Sequence, residues 1–169
     1  QTGVGKSSLM EMLSASGLIV FRELDPNKNP YFAQFYADLK AGVRPSDAAI
    51  ASQFEFLRLS LDQSEQIASL LAEGQFVVHE MPALGHSMYA HLLHADGFIS
   101  DRDYKLYLAE LNQKMASMCQ PHVYLVAIVR ETEQLINRIK QRAAVQPERA
   151  GETLIESEYW EKQLHFWLE

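Results

Sequence analysis

Apolar side chains recur at alternating intervals of four and three residues in two long stretches of the chain. The first stretch carries Ile50, Phe54, Leu57 and Leu61, and the second carries Tyr104, Leu108, Leu111, Met115 and Met118. This spacing places the apolar groups on one face of an α-helix. Ser46 and Ser100 precede the stretches as N-caps, and Gly74 and Pro121 follow them as stops. The pattern predicts two long helices between these end points.

Shorter apolar runs rich in β-branched residues separate the helical stretches and are typical of strands buried in a sheet. They predict strands over 18–22, 75–79 and 122–129. A further helix is expected over 6–16, and another is expected to begin at Asn29-Pro30. After the last of these strands a helix should run through Arg142, and after a loop ending near Thr153 a final helix should run through Trp167. Strands that alternate with helices indicate an α/β fold in three layers, with a parallel sheet flanked by helices.

Composition narrows the class of protein. The 169 residues, 47% of them hydrophobic, suit a single domain over 1–169 and exclude a disordered or collagen-like chain. No apolar run is long enough to span a bilayer. The lone Cys119 excludes an intramolecular disulfide framework and favours a cytoplasmic or other reducing location. The net charge of −7 argues against a nucleic-acid partner. Together with the short apolar runs, it leads us to expect neither nucleic acid nor a membrane as partner.

The first eight residues carry a candidate phosphate-binding loop. They hold most of the G-x-x-x-x-G-K-[ST] pattern, in the residues Gly3, Val4, Gly5, Lys6, Ser7 and Ser8. Glycines let successive N–H groups point at one anion, the lysine adds positive charge, and the first serine hydroxyl can bind Mg²⁺. A glycine-rich turn capping a helix is the alternative. We favour nucleotide binding, because the loop leads into a predicted amphipathic helix.

The chain begins inside this motif. Its first glycine is expected immediately before Gln1, and the usual strand before that. We therefore expect a sheet that lacks its opening strand.

Beyond the loop, short motifs follow one another in a specific order. They are Phe21-Arg22-Glu23, Asn29-Pro30-Tyr31, Phe35-Tyr36-Ala37-Asp38, the residues 51–57, the residues 97–104, Arg138-Ile139-Lys140-Gln141-Arg142, Glu158-Tyr159-Trp160-Glu161 and Phe166-Trp167-Leu168. This ordered series resembles the deoxynucleoside kinase family, the group of deoxyadenosine, deoxyguanosine and deoxycytidine kinases, over nearly the whole chain. The resemblance implies a P-loop kinase fold whose closing strand would follow Glu169, so that the sheet is truncated at both ends.

The resemblance also implies roles for individual residues. Glu23 matches the general base that takes the proton of the sugar 5′-hydroxyl, and Tyr36 matches the tyrosine that binds the 3′-hydroxyl. Gln53 matches the glutamine that reads the nucleobase, and Glu80 matches an acid near Mg²⁺. Arg138 and Arg142 match the start of an arginine-bearing lid over about 138–153. The resemblance thus implies three catalytic residues, Glu23, Lys6 and Arg142.

The implied activity is salvage phosphorylation of a deoxynucleoside by ATP with Mg²⁺, in a homodimer formed through helices of the 46–73 and 84–118 regions. Plainer interpretations exist: Glu23 as a turn residue, Gln53 as a surface residue, and the two arginines as a solvated helix face. His79, His86, His91 and His94 lack a metal-ligand spacing, so we expect no metal site there.

The chain departs from the family pattern at two positions that bear on activity. Met81 stands where the resemblance expects an arginine, and Ala144 where it expects the second arginine of the lid. Two alternatives therefore stay open beside the active kinase. One is a catalytically impaired, nucleotide-binding relative that serves as a regulatory or assembly subunit, and the other is a nucleoside-monophosphate kinase.

Overall fold

A computed structural model of the protein describes residues 5–123, 132–145 and 162. Two strands, six α-helices and one short 3₁₀ helix occur in these residues. They are α1 (Lys6–Ala15), β1 (Ile19–Phe21), the 3₁₀ helix Pro26–Lys28, α2 (Phe32–Ala41), α3 (Asp47–Ala72), β2 (Val77–His79), α4 (Ala83–Ala95), α5 (Asp101–Met115) and α6 (Thr132–Val145). The alternation of strands and helices confirms the predicted α/β fold.

The two described strands are neighbours, and they run parallel as the sequence predicts. Ile19 pairs with Val77, and Phe21 pairs with His79 at the other end of the ladder. The Glu80 N–H then donates to the Phe21 carbonyl at 2.8 Å, which continues the pairing one residue past β2. The carboxyl ends of both strands therefore lie at one edge of the sheet.

The predicted helix caps are present. The Ser46 hydroxyl accepts from the Ala49 N–H at 3.0 Å, and the Ser100 hydroxyl accepts from the Asp103 N–H at 3.2 Å. Gly74 follows the end of α3 with a φ of 78°, a left-handed conformation that costs glycine little.

Two helix ends differ from the predictions, for local reasons. Helix α2 begins at Phe32 rather than at Asn29-Pro30, because the Asn29 side chain accepts from the Tyr31 N–H at 3.1 Å and forms a turn first. Helix α5 ends at Met115, well before Pro121, and the Gln120 side chain donates to the Met115 carbonyl at 2.9 Å. Met118 stays buried after the helix has ended, so the apolar repeat outlasts the helix.

Some predicted elements lie outside the described residues. These are residues 1–4 of the phosphate loop, most of the strand predicted over 122–129, and all of the last loop and helix except Lys162, which is helical.

The chain divides into two compact units. One comprises residues 10–121, where α3 contacts α2, α4, α5 and β2. Its core is built on completely or almost completely buried side chains: Ala49, Leu57, Met88, Ala90, Ile99 and Tyr107. The other unit comprises residues 1–9 and 122–169, and its described part includes α6 with the buried Ile139. None of the helices described is long and apolar enough to cross a membrane.

Asn29 anchors the segment before α2 to α3. Its side chain is 3% exposed and donates to the carbonyl oxygen of Ser52 at 2.9 Å and to the Ser52 hydroxyl at 3.1 Å. Ser52 is completely buried in α3. A buried amide that satisfies two buried acceptors and one turn N–H holds this segment in place.

Replacement of Asn29 by Ala is expected to lower the free energy of unfolding by about 2–3 kcal/mol, because three hydrogen bonds are lost and buried polar atoms stay unpaired. Urea denaturation measures this change. Asn27→Ala is the matched control, since Asn27 is exposed and its hydrogen bonds within the described part of the chain go to Asp25 in the same turn. An Asn29→Ala variant no less stable than Asn27→Ala would contradict the expectation.

Candidate functional site

Glu23 and Glu80 meet at the carboxyl edge of the two strands. Glu23 lies two residues beyond β1, and its N–H donates to the Glu80 Oε2 atom at 3.1 Å. Glu80 directly follows β2 and is half-buried, whereas Glu23 is exposed. The structure thus brings together the predicted general base and the predicted acid of the Mg²⁺ site. An exposed carboxylate on a backbone held by a neighbouring side chain suits proton transfer to or from a bound ligand.

Gln53 lies on the buried face of α3, not on the surface as its plainer interpretation would have it. Its side chain is 4% exposed, and its Oε1 atom has no hydrogen-bond partner among the described residues. Leaving a buried amide oxygen unpaired costs about 1–3 kcal/mol. Such a cost is commonly retained where a polar atom serves function, so the geometry agrees with a recognition role for Gln53.

Tyr36 belongs to an aromatic cluster on α2. Its ring contacts those of Phe32 and Phe35 edge to face, with centroid distances of 4.9 and 5.5 Å. Phe32 in turn contacts Phe56 of α3 at 5.7 Å. The cluster holds the half-buried Tyr36 side chain on α2, the helix that packs against α3.

His86 and Met81 form an uncharged, buried part of the same unit. The His86 ring stacks on Phe56 at a centroid distance of 5.4 Å and an angle of 10°. Burial, and to a lesser degree the nearby His79, lowers the pKa of His86 to about 4. Met81 is 5% exposed and lies close to Gly85. The position where the resemblance expects an arginine therefore holds a buried apolar side chain.

The depressed pKa of His86 predicts a loss of stability in acid. Above pH 6.5 the His86 ring is neutral in both the folded and the unfolded chain, so protonation of the ring takes nothing from the free energy of unfolding. As the pH falls below 6.5 the unfolded chain binds the proton first, and about 3 kcal/mol is lost by pH 4. His86→Phe keeps a ring on Phe56 and removes the titration, so urea unfolding between pH 7.5 and pH 4 should show a smaller loss than in the parent chain.

His122 supplies the control for this comparison, because its side chain is exposed. His122→Gln is expected to keep the pH dependence of the parent chain. Equal acid sensitivity in the His86→Phe and parent chains would contradict the assignment.

The start of α1 is described from Gly5 onward. Gly5 has a φ of 95°, and the Leu9 N–H donates to the Gly5 carbonyl at 3.1 Å as α1 begins. An added Cβ at Gly5 would meet open space, so the backbone conformation is what favours glycine there. Lys6, Ser7 and Ser8 form the first turn, where N–H groups and the helix dipole favour an anion. Gly3 and Val4 lie outside the described residues.

These residues fit a magnesium triphosphate chemically. Taken singly, the Ser7 hydroxyl and the Glu80 carboxylate are oxygen donors of the kind that Mg²⁺ prefers, and they lie in different compact units of the chain. Within the described ranges no group of three or more His, Cys, Asp or Glu side chains could hold a metal ion. Mg²⁺ in kinases commonly uses one or two protein oxygens together with substrate phosphates and water, so this finding does not oppose the prediction.

Arg138 and Arg142 both lie in α6, four residues apart. Arg138 is exposed, and the side chain of Arg142 lies outside the described residues, as does the rest of the predicted lid beyond Val145. The helix places the two positions on one face, as the spacing predicted.

The four histidines considered for a metal site have different surroundings. His79 ends β2 and contacts Gln63, and His86 is buried against Phe56. His91 contacts the Tyr104 hydroxyl at 3.1 Å, and His94 contacts Asp101 at 2.8 Å.

Comparison with known proteins shows the family to which this chain belongs. The sequence model of the deoxynucleoside kinases matches residues 1–167. The chain belongs to the deoxynucleoside kinase family. This finding confirms the resemblance drawn from the ordered motifs. No curated protein sequence matches the chain.

Solved structures agree with this family assignment. Deoxyadenosine kinase from M. mycoides with bound dCTP is 25% identical, with a TM-score of 0.71 over 96% of this chain and 75% of that one. The same kinase with bound dATP is 25% identical, with a TM-score of 0.72 over 95% of this chain and 75% of the other. The described strands and helices of this chain therefore belong to a nucleoside-kinase α/β fold.

Proposed function

We propose that this member of the deoxynucleoside kinase family transfers the γ-phosphoryl group of ATP to the 5′-hydroxyl of a deoxynucleoside, with Glu23 as general base. The observation that carries the proposal is the position of Glu23. Its exposed carboxylate stands at the carboxyl edge of the parallel strands, and its backbone is tied to Glu80. Ligand sites of α/β folds lie at this edge of the sheet.

The proposed reaction moves one proton and one phosphoryl group. Glu23 accepts the proton of the 5′-hydroxyl while that oxygen forms a bond to the γ-phosphorus, and the bond to the bridging oxygen breaks to release ADP. Lys6 and the first turn of α1 bind the donor phosphates, and Arg138 and Arg142 add positive charge to them. By the family resemblance, Ser7 and Glu80 would hold Mg²⁺, which would neutralise phosphate charge.

Nucleoside recognition falls to Gln53 and Tyr36 in the proposal. The amide of Gln53 offers one acceptor and one donor to a base edge, and its unpaired oxygen supports this role. The M. mycoides deoxyadenosine kinase structures contain dCTP and dATP, which supports a deoxyribonucleotide-sized ligand here. A salvage role, a cytoplasmic location and a homodimer through α3, α4 and α5 remain predictions.

A coupled ATP-consumption assay tests the proposal. The chain is offered deoxynucleosides, ribonucleosides and nucleoside monophosphates, with ATP binding measured in parallel. Turnover on a deoxynucleoside is expected. Turnover on monophosphates alone would instead establish a monophosphate kinase.

A catalytically impaired, nucleotide-binding relative is the second candidate, and Met81 favours it. The side chain is apolar and 5% exposed where the resemblance expects an arginine. A charged group that contacts the reacting atoms can contribute several kcal/mol to transition-state stabilisation. ATP binding without turnover on any acceptor would establish this candidate and exclude the kinase.

A further inference from the structure

Gln63 in α3 links the carboxyl ends of both strands. Its Nε2 atom donates to the Arg22 carbonyl oxygen at 3.1 Å, and its Oε1 atom lies 3.1 Å from His79 Nε2. Arg22 directly follows β1, and His79 is the last residue of β2. Gln63 therefore connects α3 to the strand edge that carries Glu23.

The direction of these hydrogen bonds follows from chemistry. A backbone carbonyl only accepts, so the Gln63 amide must turn its NH₂ group toward Arg22 and its oxygen toward His79. An amide oxygen also only accepts, so His79 must donate and its proton sits on Nε2. The His79 ring is held further by an edge-to-face contact with Phe21, with centroids 6.4 Å apart. The pair thus specifies one tautomer of His79 and one orientation of the Gln63 amide.

The peptide unit between Arg22 and Glu23 is held at both of its polar groups. Its carbonyl accepts from Gln63, and its N–H donates to Glu80 Oε2 at 3.1 Å. Residues 22–25 have no regular secondary structure, and Arg22 and Glu23 are exposed. The orientation of this peptide plane limits the direction in which the Glu23 side chain leaves the backbone. At Glu23, which lies beyond the end of β1, hydrogen bonds with side chains therefore take the place of the backbone hydrogen bonds of a strand.

We propose that Gln63 and His79 are positioning residues that orient the Arg22–Glu23 peptide and thereby aim the Glu23 carboxylate. The proposal rests on the assignment of Glu23 as general base. His79 holds the Gln63 amide in its donating orientation, and Gln63 holds the peptide. Misplacement of a reacting group by about 1 Å can cost about 10²-fold in rate, so small changes at this edge should be measurable.

Gln63→Met tests the proposal in the full chain, since methionine has a similar length and no amide. We expect kcat for nucleoside phosphorylation to fall by about ten-fold or more, with KM for the nucleoside changed far less, because the aim of the base changes and nucleoside binding does not. Exchange of the Glu23 amide hydrogen should become faster. Gln66→Met is the matched control, one turn away on the same helix and exposed, and it should leave both quantities unchanged.

Gln63→Glu separates the hydrogen bond to Arg22 from the hydrogen bond to His79. An ionised glutamate at pH 8 still accepts from His79 but cannot donate to Arg22, so it should lower kcat as Gln63→Met does. His79→Phe keeps a ring beside Phe21 and removes the donor, and it should also lower kcat. A Gln63→Met variant with unchanged kcat in an active chain would overturn the proposal.

Two measurements distinguish failure of this proposal from failure of the proposed function. If the parent chain phosphorylates no acceptor, the kinase assignment fails by itself. Nitrogen NMR of His79 and amide exchange at Glu23 still report whether Gln63 orients the peptide. A His79 proton on Nδ1, or equal Glu23 exchange in Gln63→Met and Gln66→Met, would overturn the link whether or not the chain is active.

Discussion

Replacement of Glu23 by Gln is expected to lower kcat for deoxynucleoside phosphorylation by about 10²–10⁴-fold, the usual contribution of a general base. Glutamine matches glutamate in size, and the hydrogen bond to Glu80 uses the backbone N–H of residue 23, so the strand edge should persist. ATP affinity should be unchanged, because phosphate binding is assigned to other residues. Steady-state kinetics with the best acceptor, together with an ATP-binding titration, measures both quantities.

Glu65→Gln is the control for this substitution. Glu65 is an exposed carboxylate of α3, and its neutralisation changes the net charge by the same amount. Its kcat should equal that of the parent chain. A Glu23→Gln variant with full activity would remove Glu23 from the reaction and would leave the proton acceptor to be sought elsewhere.

Replacement of Met81 by Arg is expected to destabilise the fold rather than to improve catalysis. Met81 is 5% exposed, and its Cγ lies 3.0 Å from the position that a Cβ on Gly85 would occupy. Burial of a guanidinium at this position should lower the free energy of unfolding by about 3–5 kcal/mol. Urea denaturation measures this loss, and the assay on the folded fraction measures kcat.

Met81→Leu is the volume-conserving control and should cost less than about 1.5 kcal/mol. A Met81→Arg variant as stable as Met81→Leu, with a large gain in kcat, would contradict the expectation. It would show that the site accommodates the arginine and that the parent chain is the impaired relative. A stable variant with lower activity would indicate a pocket adapted to an uncharged residue.

Local sequence signals predicted most of the secondary structure in the described part of the chain. The repeat through Ile50 and Leu57, with Ser46 before it and Gly74 after it, specifies α3 to within a residue or two. The short β-branched runs specify β1 and β2, and the alternation of elements specifies their parallel pairing. These predictions succeed because caps, stops and apolar periodicity act over a few residues. The end of α5 was missed because Met118 stays in the core after its helix has stopped.

For the candidate site, the sequence predicted which residue types follow the strands. The sequence placed Glu23 and Glu80 after two different strands, and the structure links them at one edge of the sheet by a 3.1 Å hydrogen bond. Gln53 is harder to judge from sequence, because it flanks the apolar stripe of α3 and fits either a surface or a pocket position. The structure buries it with an unpaired oxygen.

The sequence by itself determined the family, the α/β class and the position of the candidate base after the first described strand. Only the tertiary structure decided which polar side chains are buried and what they contact. Asn29 bonds to Ser52, His86 stacks on Phe56, and Gln63 bridges Arg22 and His79. Helix and strand signals are short-range, whereas these contacts join residues 16 to 41 positions apart for which periodicity carries no information. Their energies depend on which element packs opposite, and that is set only when the helices assemble around α3.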